Sequence, residues 1–574
     1  RVVRRRAAMV HSSRQAVDRP RFSAQARPTV GRDRRRGHTR NHVASPGWPP
    51  CGARTVHPDV RTQPKTEIAP ALFLGAAVQD GSVCEDTPMK AGGDRRAAVV
   101  ALTAVLTAAV VWPLLMLAST SSIVSAITVV SLLALVPVLL PLTGRRFDLF
   151  EPTVFFALAF AVIFVGAPIY AVLSNSIGDG VLGYDIAASY PQALYVAAAG
   201  CAAFYVGYFV LGGQRAANAL RVPSDKWDPS RTRRGLQFIV FLSVVVFAYY
   251  VHTQGGVGFL KVVLTQGRSA TLDSAVVGAS GYLDSGQQLC APAGVLLLAL
   301  QPKWLGWKAA PGWLLLLFAS ILSIGGGDRS VLIPTLLAVV LVHYMRAGRR
   351  PGLGRVLIAV VLAFIFVISL PRVHRSESAD GGVTSWSSAF NQSILHPQTM
   401  LGDFFGGADT AMAGSLATEI QLVPKQLHYQ YGRTYLEALT RPVPHEIYSR
   451  KPIAADTLLN QTLYPATAQL HVGFAFSIFG EPWLDGGWWS VVTVMLIFGF
   501  AMRCQYEWLQ RSPRNITAVV IYSLTVPFIF IYMRGGFGVD YQREAIVVVP
   551  FYLLYRYTHP RVHPRRARAL SWAP

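Results

Sequence analysis

"GFAFSIFGEPWLDGGWWSVVTVMLIFGFAMR", residues 473–503, is where a polar stretch runs without a break into an apolar one. From Gly486 to Met502 there is no charged residue, and Arg503 closes the run. About 20 apolar residues are needed to cross about 30 Å of hydrocarbon, and Trp and Tyr gather where such a segment meets water. Trp488 and Trp489 stand at that entry point. The first half of the stretch, with Glu481 and Asp485, ends a polar run that reaches back to about Arg372. This one passage therefore predicts a membrane span with a large polar loop in front of it.

Apolar runs of similar length recur on both sides. The candidate spans are 97–118, 122–142, 152–173, 191–212, 235–253, 279–300, 310–326, 331–346, 355–371, 486–502, 515–533 and 544–558. The reading is an all-α polytopic membrane protein of about 12 transmembrane helices, with one large external loop between helices 9 and 10. Composition agrees: 52% of the 574 residues are hydrophobic and only 14% charged, against about 25% charged in soluble domains. The formal charge of +23 suggests nucleic acid in a soluble chain. Here the basic residues cluster at span ends and in the termini, so topology accounts for them and no nucleic-acid partner is expected.

Lys and Arg collect in cytoplasmic loops. "KAGGDRR" before the first span, "GRR" at 144–146, the Arg-rich 215–234 loop, Lys303 and Lys308 fall on one side. So do Arg346 to Arg355, Arg503 to Arg514 and Arg556 to Arg568. The opposite loops at 119–121 and 174–190 carry no Lys or Arg. Both termini are expected in the cytoplasm and the long loop outside. The first apolar run lacks a small-residue cleavage site and reads as an anchor rather than a cleaved signal.

The domain reading follows. Residues 1–88 are rich in Arg, Pro, Ser and Gly and have no apolar period, so they cannot bury a core. They are expected to be a disordered basic segment or a mis-annotated extension ahead of a natural start at Met89. Residues 89–371 form the membrane domain of spans 1–9, 372–485 the extracytoplasmic loop, 486–558 spans 10–12, and 559–574 a basic cytoplasmic tail.

Several chemistries lack their motifs. There is no P-loop to bind a nucleotide and no HExxH or CxxC to bind zinc. None of the five cysteines lies in the loop, so no disulfide staples it. No metal site is expected, and no cofactor.

Residues costly in a membrane mark candidate sites. "GGGDRS" (325–330) is the tip of the hairpin between spans 7 and 8. Its glycines expose amides, and Arg329 suits an anionic phosphate. The plainer alternative is a pair with Asp328, or a side chain that snorkels to water. "YMRGGFGVDYQRE" (532–544) places Arg534 at the end of span 11. It is either a second cationic contact or a helix-end ion pair. Glycosyl transfer needs a group to take the acceptor's proton. Glu481 in "FGEPW" and Glu419 in "ADTAMAGSLATEIQLV" (408–423), a short helix expected at the surface, are the carboxylates favoured for it. For any single carboxylate of the loop the plainer reading is a solvated or structural group. Asp403 and Asp409 in "GDFFGGAD" read as a surface turn rather than a metal site.

Taken together, the chain from about Ala97 to Tyr557 resembles the Wzy-type oligosaccharide repeat-unit polymerases of O-antigen and exopolysaccharide synthesis. The resemblance is carried by "YGRTY" (431–435), Pro444, "KP" (451–452), "GFAFSIFGE" (473–481) and the glycine pair 486–487. "GGGDRS" and "EPTVFFALAFAVIFVGAPIY" (151–170) look like that family's mid-chain turn and early span. The resemblance implies a membrane glycosyltransferase at the outer face of the cytoplasmic (inner) membrane. Its substrate would be a polyprenyl-diphosphate-linked glycan, and a flippase and a chain-length regulator would be partners. It implies that Arg329, Arg372, Arg375, Arg433 and Arg534 meet the diphosphate. Tyr435 and Lys451, within the shared motifs, join them as substrate-binding candidates, and Glu481 or Glu419 acts as base. An O-antigen-ligase-like enzyme, another lipid-linked-sugar transferase, or a transporter of polysaccharide or lipid-linked oligosaccharide remains as an alternative.

Overall fold

The computed structural model describes residues 123–140, 148–177, 184–266, 285–326, 329–352, 354–355, 358, 401–402, 404–407, 410–441, 443, 447–463 and 475–559. All belong to one compact unit, Ala76–Pro574. The expected segment 1–88, the spans at 97–118 and nearly all of 355–371, and Arg372, Arg375, Asp403 and Asp409 lie outside the described residues.

Among the described residues the structure is helical, with no strand. In chain order the helices used below are α1 (Ile123–Ala134), α2 (Pro152–Leu173), α3 (Tyr190–Phe209), α4 (Pro229–Thr253), α5 (Ala291–Leu300), α6 (Ala310–Gly326) and α7 (Arg329–Arg346). The polar region adds α8 (Met412–Leu422), α9 (Arg433–Thr440) and α10 (Ala455–Leu463). The chain closes with α11 (Ser477–Gln510), α12 (Ile516–Gly535) and α13 (Phe537–Thr558). Five of these are long and apolar enough to cross a membrane: α2, α3, α4, α11 and α12. The helices at Ile123–Ala134, Gly286–Leu300, Trp307–Ser323 and Ser330–Arg346 are apolar but shorter.

Local sequence explains the element ends. Asp228 caps α4 by accepting from the Ser230 and Arg231 amides at 2.8 and 3.2 Å, and Pro229 follows at the first helical position, where its missing donor costs nothing. Within α2 the hydrogen bonding widens to a π-helix over Ala161–Gly166, just before Pro168, which cannot donate to the ladder.

The core is built on α3 and α11. Gly207 packs against the Leu496 backbone and Gly499 against the Phe204 carbonyl. Without side chains there, the two backbones touch, as small residues allow in membrane helices. Phe156 stacks on Phe204 with ring centroids 3.8 Å apart, which locks α2 onto the same seam. Beyond one end of α2, Asp148 accepts from Arg350 and from the Tyr506 hydroxyl, each at 2.8 Å.

Two findings revise the sequence reading. The helix expected to begin at 486 begins at Ser477 and runs 34 residues, about 51 Å at about 1.5 Å per residue. That exceeds the hydrocarbon thickness. It is broken at Gly486–Gly487, where Gly487 has φ +62°, so the pre-kink segment Ser477–Asp485 stands apart from the apolar part that follows. Second, α8 does not lie at the surface. Ten of its eleven residues are buried, because Ala413, Leu416, Ala417 and Ile420 join the hydrophobic core.

Candidate active site

The pre-kink segment of α11 is the floor of the site. Ser477 adopts a positive φ of 78° and accepts from the Phe479 and Gly480 amides at 3.3 and 3.2 Å. This starts the helix abruptly and turns Gly480 and Glu481 inward. Both are buried, and Glu481 is 0% exposed.

Glu481 sits on the N-terminus of α13. The Gly538 amide donates to its two carboxylate oxygens at 2.9 and 2.8 Å. Gly536, with φ +90°, makes the turn from α12 into α13, and a Cβ there would come within 2.8 Å of the same carboxylate. Glycines at 536 and 538 are therefore required for this approach. Two influences oppose each other at Glu481: burial disfavours its charge, while the amide and the helix N-terminus favour it.

Glu419 reaches the same place from α8. Its carboxylate lies on Gly480, where a Cβ would be 2.9 Å from Oε1. It is 0% exposed, and neither of its oxygens has a hydrogen-bond partner among the described residues. Burial, and then the charge of Glu481, push its pKa well above the usual carboxylate range. The two carboxyls thus differ in surroundings: one is held by an amide, the other by none.

α9 closes the site on a third side. Asp485 is the anchor that motif reading missed. Its Oδ1 accepts from the Gly432 amide at 2.9 Å, and its Oδ2 accepts from the Thr434 hydroxyl. The Gln430 and Tyr431 amides donate to the Leu484 and Asp485 carbonyls at 3.0 and 2.9 Å. At the far end of α9, Tyr541 of α13 donates to the Ala438 carbonyl. Arg441 grips Glu437 through Nε at 2.9 and 3.1 Å. Tyr435 lies on α9 with its hydroxyl buried and without a partner among the described residues. Burial, and then the charges of Glu481 and Asp485, raise its pKa well above the usual range.

The remaining candidates divide. Arg433 is the first residue of α9 and its side chain is exposed. Arg534 is in the last turn of α12, two residues before Gly536, and partly buried. Lys451 donates to the Arg441 and Val443 carbonyls at 2.8 and 3.4 Å, so its ammonium clips the chain beyond α9. Arg329 opens α7, but its side chain lies outside the described residues, as do Arg372 and Arg375. Among the described residues no group of three or more His, Cys, Asp or Glu could hold a metal ion. Sequence reasoning singled out the carboxylates on α8 and α11 but missed Asp485, Thr434 and Gly538. The signal available for them was glycine at 432, 536 and 538 beside polar motif residues.

The arrangement is a buried pair of carboxyls, a tyrosine and an exposed arginine on one covering helix, next to a glycine turn preceded by a second arginine. It can take a proton from a hydroxyl and set positive charge nearby. Residues 99–557 match the model of a family described as O-antigen polysaccharide polymerase Wzy. No curated protein and no solved structure matches the chain.

Proposed function

Because the chain belongs to the O-antigen polysaccharide polymerase Wzy family, we propose that its chemistry is carried by the carboxyl pair Glu481 and Glu419 beneath α9. The protein is a multi-pass inner-membrane glycosyltransferase that joins lipid-linked oligosaccharide repeat units into a surface polysaccharide. Donor activation comes with the lipid diphosphate, so no nucleotide site is required.

In this reading the acceptor hydroxyl attacks the anomeric carbon of the donor's first sugar. The bond from that carbon to the diphosphate breaks, polyprenyl diphosphate leaves with the electron pair, and the hydroxyl proton passes to Glu481. Glu419 stays protonated beside it, which lowers the like-charge repulsion a second anion would bring. The enclosure of both carboxyls keeps water, a competing acceptor, from the reacting carbon. Arg433, Arg534, Arg329, Arg372 and Arg375 face the diphosphate, where guanidinium forks bond phosphate oxygens bidentately. Tyr435 contacts glycan, and Lys451 joins through its place in the loop. The observation that carries this reading is the convergence of α8, α9, α11 and the α12–α13 turn on one carboxylate, Glu481.

The finer topology belongs to the same proposal: about 12 spans, an external loop at 372–485, membrane segments at 89–371 and 486–558, and a cytoplasmic tail from 559. Residues 1–88 are a separate basic segment. Both termini face the cytoplasm, and a flippase and a chain-length regulator act alongside. Support comes from the distribution of Lys and Arg.

The test is incubation of the purified protein with a lipid-linked repeat unit and inspection for a ladder of products. Glu481→Gln is expected to slow ladder growth by about 10²–10⁴-fold, the usual worth of a general base, with the protein still folded in the membrane. A ladder formed at the unaltered rate removes Glu481 from the mechanism.

A further inference from the structure

Arg433 has an unusual setting for an exposed residue. The residues on either side of it are both held by one carboxylate. Asp485 accepts from the Gly432 amide at 2.9 Å and from the Thr434 hydroxyl, and it is itself only 3% exposed. Backbone bonds from Gln430 and Tyr431 to the Leu484 and Asp485 carbonyls already attach this segment to α11. Burying a carboxylate is costly unless hydrogen bonds offset it, and the two side-chain hydrogen bonds that do so here come from the residues on either side of Arg433. Tyr431 and Gly432 also hold left-handed backbone, φ 50° and 81°. For Tyr431 that is a conformation L side chains rarely adopt, and it persists only where the surroundings over-determine it. Together these contacts fix the direction in which the first residue of α9 leaves the helix.

We propose that Asp485 is a positioning residue: by holding Gly432 and Thr434 it sets the Arg433 guanidinium toward the anionic diphosphate of the lipid-linked donor. The proposal rests on the reading of Arg433 as a diphosphate contact. Asp485 does not touch substrate. It acts through the backbone and hydroxyl on either side of the arginine. The alternative role is a plain staple that holds α9 on α11, and the two roles predict different kinetics. A staple serves every group on α9, Tyr435 included. A positioning residue serves Arg433.

A double-mutant cycle separates them. Ladder formation from a purified lipid-linked repeat unit is measured for the full chain in lipid nanodiscs, and for Arg433→Ala, Asp485→Ala and the double variant. Arg433→Ala is expected to lower kcat/KM by about 100-fold, the order seen when one donor to a developing anion is removed. Asp485→Ala is expected to lose at least about tenfold. The double variant should then fall within about twofold of Arg433→Ala alone, because Asp485 has nothing left to aim. Asp485→Asn keeps one acceptor oxygen for Gly432 and is expected to lie between wild type and Asp485→Ala. It also serves where the alanine variant fails to fold.

Losses that multiply in full in the double variant overturn the positioning role and leave the staple. An Arg433→Ala variant with wild-type kcat/KM instead sinks the diphosphate reading of Arg433 itself, so the two failures have different signatures.

Discussion

Glu419 shows what burial does to a single group. It has no hydrogen-bond donor among the described residues, no exposure, and Glu481 as neighbour, and burial first and that charge second raise its pKa. The folded protein therefore keeps a proton that the unfolded chain releases above about pH 4.3. In the pH range between those two pKa values the native state binds more protons, so stability falls as pH rises. The contribution is fully present below the unfolded value and lost as pH climbs toward the folded one. Glu419→Gln removes the titration. Its thermal midpoint in detergent is expected to exceed wild type by more at pH 8 than at pH 6. A difference that stays constant with pH would exclude a buried proton at Glu419. None of this was readable from "ATEIQLV", which looks like the exposed end of a short helix. The neighbour that matters comes from another helix, and only packing brings it there.

At the scale of elements, the seam between α3 and α11 depends on Gly207 and Gly499. Added atoms at Gly499 meet the Phe204 carbonyl and the Tyr208 amide, which are backbone and cannot swing aside. Gly499→Val is expected to destabilise the folded protein by about 1–3 kcal/mol, the usual cost of overpacking, seen as a lower unfolding temperature. A substitution tolerated without loss would mean the helices are not in contact there. Helical stretches were legible in part: 310–326 and 152–173 coincide with α6 and α2, whereas α4, α11 and α13 begin six, nine and seven residues before the apolar runs at 235–253, 486–502 and 544–558. Apolar run length carries that information directly. The start of α11 was not legible, because the hydrophobic run begins at the Gly486–Gly487 kink while helical backbone begins at Ser477. Hydropathy reports where lipid contact begins, not where hydrogen bonding does. α8 failed for the opposite reason: its residues are small and mixed, and it owes its burial to the core around it.

For the whole molecule, the orientation proposed from Lys and Arg positions is open to a direct measurement. With the five native cysteines replaced by serine, a single cysteine at Leu439, exposed on α9, should react with a membrane-impermeant thiol reagent in spheroplasts. One at Ser224, in the Arg-rich 215–234 loop and also exposed, should react only after lysis. The reverse pattern would invert the topology and move the site to the cytoplasm. Membrane class, all-helical architecture and membership of a polymerase family were determined by the sequence alone. They depend on run length, charge placement and short motifs, which are local properties of the chain. The convergence of Glu419, Glu481, Asp485 and Tyr435 with the Gly536–Gly538 turn was decided only by tertiary structure. Contacts between helices far apart in the chain are set by how their surfaces pack, down to the glycines that let one backbone or carboxylate touch another.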